Sequence, residues 1–201
     1  MPWPASPPDL PLRPPPVASW WSLVFAGVIL GVQWTLGSGT TGHFVRPGYA
    51  AGDWWLLFSA QWVHLNAWHA GKNAVAMAVL PLAFRALVPV RWQWGALLGG
   101  HIGVAWVLAL DLRCMYYAGA SGALHGLLAG NIAYFLCITQ GNLRMVGTGW
   151  VLLLGLVLKL LLQRASGSVE QAIYYPAHEA GALGGIVMVL LVHRFTRHQS
   201  A

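Results

Sequence analysis

The chain has 201 residues, of which 57% are hydrophobic and only 8% charged, and its mean hydropathy is +0.60. An ordinary soluble domain carries about 25% charged residues, so this chain cannot clothe a water-facing surface. A soluble enzyme, a disordered tail and a nucleic-acid module are excluded, and an integral membrane protein of one domain remains, with the lipid bilayer as its surroundings. The net charge of +6 is then read as a report on topology rather than on an anionic ligand.

In chain order, residues 1–19 hold Pro2, Pro4, Pro7, Pro8, Pro11, Pro14, Pro15 and Pro16. Proline at that density cannot continue a helix, which predicts an extended cytoplasmic arm. Lacking a basic start and a small-residue cleavage site, the arm does not read as a signal peptide. Residues 20–201 form the membrane domain. Six apolar stretches follow, each near the ~20 residues that cross a bilayer as a helix: Trp20–Leu36, Gln61–Phe84, Gln93–Leu110, Ser121–Ile138, Thr148–Gln163 and Pro176–Phe195. The expected fold is an all-α bundle of six transmembrane helices. Glycine recurs within them, as at Gly95, Gly99, Gly100 and Gly103, where a missing side chain lets helix backbones approach closely.

Basic residues set the orientation. With the N-terminus inside, inner segments hold Arg13, Arg85, Arg91, Arg144, Arg194 and Arg197, and outer ones hold Arg46, Arg113 and Arg164, offset by Asp53, Asp111 and Glu170. The excess places both termini in the cytoplasm. The long outer connection, residues 37–60, carries Trp54 and Trp55 among glycines and suits an amphipathic segment in the interface. Cys114 and Cys137 fall at opposite sides of the membrane and give no disulfide framework.

Polar groups at membrane depth are costly and usually functional. They are His64, His69, Lys72, Asn73, His101, Ser121, His125, Lys159 and His178. Lys159, near the outer end of its helix, is expected to snorkel its amine to the surface. His101 stands alone mid-helix and reads as a core histidine with a backbone partner. Lys72 lines a water cavity or marks an ion or substrate path.

Ser121 is flanked by glycines in Gly119-Ala120-Ser121-Gly122 and opens the fourth helix. There its hydroxyl lies near the positive helix end with unsatisfied N–H groups alongside. Acyl transfer needs that combination of nucleophile and oxyanion donors; a plain N-cap serine is the other reading. His178 begins the sixth helix, which enters from the same side. Gly181 and Gly185 lie along that helix, and packing them on the fourth would bring His178 toward Ser121 as its base. His69 and Asn73, four apart on the second helix, share a face and can both donate, to an oxyanion or merely between helices. His125, one turn after Ser121, shares the serine's face and can pack against His178.

The motifs His69-x-x-x-Asn73, Gly119-x-Ser121-Gly122 and Ala177-His178-x-x-Gly181-x-x-x-Gly185 resemble those of the rhomboid intramembrane serine proteases, in the family's order and within its six-helix core. The resemblance implies that Ser121 is the nucleophile and His178 the general base. The Ser121 backbone N–H, His69 and Asn73 would bind the oxyanion, and Gly119 would allow close approach beside the nucleophile. Many rhomboids carry a Trp-Arg pair in the first outer loop, where this chain has Trp55-Leu56, and commonly a tyrosine where it has His125. The string from Gly119 to Gly126 looks most like the rhombosortase branch. That branch implies substrates bearing a C-terminal Gly-Gly sorting tail, a Gram-negative inner membrane and a site opening to the periplasm. No metal or organic cofactor is required. A zinc protease is disfavoured because His178-Glu179 begins HExxH but Ala182 stands where the second ligand belongs. A non-catalytic scaffold or transporter that binds transmembrane helices is the remaining alternative.

Overall fold

The structure, a computed structural model, describes residues 20–165 and 174–198. The expected arm at 1–19, and with it Arg13 and Glu170 of the charge count, lie outside the described residues. The elements run α1 (Trp20–Leu36), β1 (Phe44–Val45), α2 (Arg46–Ala50), α3 (Leu56–Ser59), α4 (Ala67–Phe84), α5 (Val90–Leu110), β2 (Tyr116–Tyr117), α6 (Ser121–Ile138), α7 (Leu143–Ala165) and α8 (Tyr175–His198). Six long helices make an all-α membrane bundle. By length and hydropathy alone α5, α6, α7 and the Tyr175–Thr196 part of α8 can each cross a bilayer. The 17-residue α1 is shorter, and α4 carries His69, Lys72 and Asn73 in its first half, which lowers its hydropathy.

Several helix ends differ from expectation because local hydrogen bonds outrank apolar runs. The second long helix starts at Ala67 rather than Gln61, since Asn66 is its N-cap and accepts from the His69 amide at 2.8 Å; a side-chain acceptor there satisfies an otherwise orphaned donor. The third begins at Val90, behind Pro89 with φ −57°. The fifth begins at Leu143, where Asn142 Oδ1 accepts from the Arg144 and Met145 amides at 3.1 and 3.2 Å. The sixth runs from Tyr175, one residue earlier than expected, and on to His198.

The outer connection is not one amphipathic segment. It folds into β1, α2 and α3, and β1 pairs antiparallel with β2 in the register Phe44 with Tyr117 and Val45 with Tyr116. Arg46, expected to be an outer-surface charge, instead fastens this loop to the C-terminus of α5. Its guanidinium donates to the carbonyls of Leu108 (2.5 Å), Asp111 (2.7 Å), Cys114 (3.1 Å) and Ala109 (3.4 Å). The Leu108 and Ala109 carbonyls, in the last turn of α5, have no partner within the helix, and a cation there also meets the negative end of the dipole. Arg46 therefore supplies the anchoring that Leu56, following Trp55, cannot.

At the centre lies α6, buried nearly all round, with Gly122, Gly126 and Gly130 along one seam. A Cβ on Gly181 would sit 2.6 Å from the Gly122 carbonyl carbon, and one on Gly185 equally close to that of Gly126. A Cβ on Gly99 or Gly103 of α5 would come within 2.9 Å of the α8 backbone at Gly184 or Ala180. Three helices thus touch backbone to backbone, the close packing that association in lipid rewards. The α7 helix is the outlier, with only Gly149 and Leu156 buried.

Candidate active site

The chain reaches Ser121 through a strand, a turn and a helix start. At the end of β2, Tyr117 donates its hydroxyl to the Gly119 carbonyl at 2.8 Å, and the Gly119 amide donates to the Ala60 carbonyl at 2.8 Å. Gly119 has φ +124°, and a Cβ on it would lie 2.6 Å from Cε1 of His69. Both the backbone conformation and the close approach of that imidazole call for glycine. Ala120 is the N-cap and Ser121 the first residue of α6, so its amide is among those with no partner within the helix.

His178 lies in the first turn of α8, 5% exposed. Its Nε2 is 2.8 Å from Ser121 Oγ, the separation at which a hydroxyl donates to a neutral imidazole. The glycine seam accounts for that distance: Gly181, one turn after His178, lies against Gly122, the residue next to Ser121, and brings the α6 and α8 backbones together. The His125 ring stacks on that of His178 with centroids 4.3 Å apart and planes at 16°. His69 and Asn73, on α4, line the same cavity of about 630 Å³ as Ser121 and His178. The Asn73 Nδ2 is buried and meets no acceptor among the described residues. Glu179 points elsewhere and pairs with Arg164 at 3.3 Å.

A family model for the Rhomboid domain matches residues 51–195. The chain belongs to the Rhomboid family. Searches among curated proteins and among solved structures find no match. Rhomboid proteins as a class are intramembrane serine proteases acting on transmembrane substrates within the bilayer, and the multi-pass, membrane-embedded bundle found here is the matching architecture.

Two expectations for this Rhomboid chain need correction. Lys159 does not reach for the membrane surface. Its Nζ turns to His125 Nε2 at 2.6 Å and to Gln163 Oε1 at 3.4 Å, because acceptors on α6 and one turn along α7 lie nearer. Among the described residues the His101 ring meets no backbone carbonyl; Nδ1 meets the Gln61 side-chain oxygen at 2.8 Å, and the ring stacks on Trp62. Lys72 lines the cavity, its amine 5.7 Å from the Trp68 ring centre.

Sequence reasoning gave no role to His64, Gln163 or Tyr174. His64 lies in the connection between α3 and α4, where its Nε2 accepts the Ala120 amide at 3.4 Å directly before the serine. Burial, then the neighbouring His69, pushes its pKa down to about 4, so it is neutral and able to accept. Gln163 Oε1 is 3.4 Å from His178 Nδ1; its place four residues after Lys159, on one helix face, was the available signal. Tyr174 lines the cavity and donates to Asp111 Oδ2 at 2.5 Å, with Arg113 bidentate on the same carboxylate. Arg113, then Tyr174, holds the Asp111 carboxyl well below the usual carboxylate range.

Proposed function

We propose that this chain is an intramembrane serine endopeptidase that works through a Ser121–His178 dyad. The observation that carries the reading is the 2.8 Å contact between Ser121 Oγ and His178 Nε2 inside a cavity also lined by His69 and Asn73. The Ser121 hydroxyl attacks the scissile carbonyl as its proton passes to His178 Nε2. The oxyanion is met by the Ser121 amide with His69 and Asn73. The buried, unsatisfied Nδ2 of Asn73 supports that role, since such a donor is costly unless something binds it. The amine product takes the proton from His178, and water then releases the acyl group from Ser121.

The substrate in this reading is a transmembrane segment cut near the outer face, the Gly-Gly sorting tail of a secreted or surface protein. A helical peptide bond is shielded by its own backbone, and Gly-Gly unwinds readily because each glycine costs a helix about 1 kcal/mol relative to alanine. The Gly119–Gly126 string supports the rhombosortase branch, and a generic rhomboid protease is the broader version. The membrane is the inner one of a Gram-negative bacterium, with both termini cytoplasmic and the cavity opening to the periplasm. The basic residues Arg85, Arg91, Arg144 and Arg194 at the helix ends opposite the dyad support that orientation.

Co-expression with a tail-bearing substrate, followed by mass spectrometry of the new C-terminus, tests the proposal. Wild type should generate a defined end that Ser121→Ala does not. An identical end from the variant refutes the serine mechanism, and cleavage of tail-less transmembrane proteins alone removes the sorting role. A protein that binds such segments without cutting them is the scaffold of the alternative reading.

A further inference from the structure

A general base acts only from a fixed ring, and a dyad has no carboxylate to fix it. With Nε2 of His178 accepting from Ser121 Oγ at 2.8 Å, the ring proton sits on Nδ1. That nitrogen faces Gln163 Oε1 at 3.4 Å. Lys159 Nζ lies 3.4 Å from the same amide oxygen and 2.6 Å from His125 Nε2. An ammonium only donates, so His125 Nε2 is bare, and its Nδ1–H donates to the Ser121 carbonyl at 2.7 Å. The His125 ring in turn lies flat against His178, 4.3 Å away. These contacts leave each of the two rings one tautomer, with the proton on Nδ1.

Resting on the dyad reading, we infer that Gln163 and Lys159 of α7 are positioning residues: Gln163 accepts the Nδ1–H of His178, and Lys159 holds both that acceptor and the His125 ring in place. When the Ser121 proton reaches Nε2, the imidazole becomes a cation and its Nδ1–H a stronger donor. The Gln163 oxygen then stabilises the charged ring more than the neutral one, which lowers the barrier without contact with substrate. The α7 helix thus contributes to the dyad despite its scant burial.

The test uses the full chain in proteoliposomes, with the rate of fluorophosphonate labelling at Ser121, the kcat and KM for a tail-bearing substrate, and ¹⁵N NMR of the histidines. In wild type His178 and His125 should both show protonated Nδ1 and bare Nε2; a bare His178 Nδ1 overturns the inference whatever the variants do. Gln163→Leu should slow labelling roughly 10- to 100-fold, the worth of one hydrogen bond to a group that becomes charged. It should cut kcat and leave KM unchanged, and Gln163→Glu, which keeps an acceptor, should recover most of the rate. Lys159→Met should shift His125 to a mixture of tautomers. Labelling of Gln163→Leu within twofold of wild type overturns the inference while the Ser121 adduct upholds the dyad. Absence of any Ser121 adduct in wild type overturns both.

Discussion

Substituting Gly181 by alanine tests the link between helix packing and chemistry. A Cβ there lies 2.6 Å from the Gly122 carbonyl carbon, whereas carbon atoms rest at about 3.5–4.0 Å. Roughly 1 Å must be found, and since the neighbour is backbone, no rotamer change supplies it. The α8 helix must lift from α6 at the level of the dyad. The 2.8 Å bond between Ser121 and His178 then stretches to roughly 3.8 Å, past the ~3.6 Å at which a side-chain contact is no longer a hydrogen bond. A misplacement of about 1 Å costs about 100-fold in rate, while overpacking of this kind costs about 1–3 kcal/mol of stability. Gly181→Ala should therefore remain folded in detergent and cleave substrate about 100 times more slowly. Gly155→Ala on α7, where nothing lies within 4 Å, should match wild type in both rate and unfolding. Full activity in Gly181→Ala, or equal damage from Gly155→Ala, refutes the reasoning.

Arg46→Met should lose about 3 kcal/mol, on the scale of hydrogen bonds from a charged donor, because several carbonyls at and just beyond the end of α5 lose their donor together; Arg46→Lys should recover little, since one ammonium lacks the planar fork. Denaturant titration reads both. His64, whose folded pKa of about 4 lies below the ~6.5 of an unfolded chain, contributes stability that is present above pH ~6.5 and lost as pH falls toward 4. The loss is on the order of 3 kcal/mol; thermal unfolding across that window should show it, and His64→Gln should flatten the profile. Chelator treatment should leave substrate cleavage unchanged, and activity lost to chelator and restored by zinc would favour the metal reading.

Much of the fold was readable because apolar runs of membrane length report their own solvent. Helix ends were less so: Asn66 and Asn142 start helices through single side-chain acceptors, which an apolar run does not reveal. The central burial of α6 carries no periodic signal, because a helix surrounded on all sides has no polar face. At the site, Ser121, His178, His69 and Asn73 stood out as polar groups beside glycines. Lys159 was misjudged because snorkelling and turning inward look alike in sequence, and only the position of His125 across the interface separates them. The role of Arg46 depends on the end of α5, some sixty residues on, and of His64 on Ala120; contacts at that separation leave no local trace.

The most direct measurement is peptide mapping of the fluorophosphonate adduct on the intact protein in its membrane. The account predicts one modified residue, Ser121, whose labelling disappears in His178→Ala. An adduct elsewhere, or undiminished modification of Ser121 without the imidazole, would contradict it.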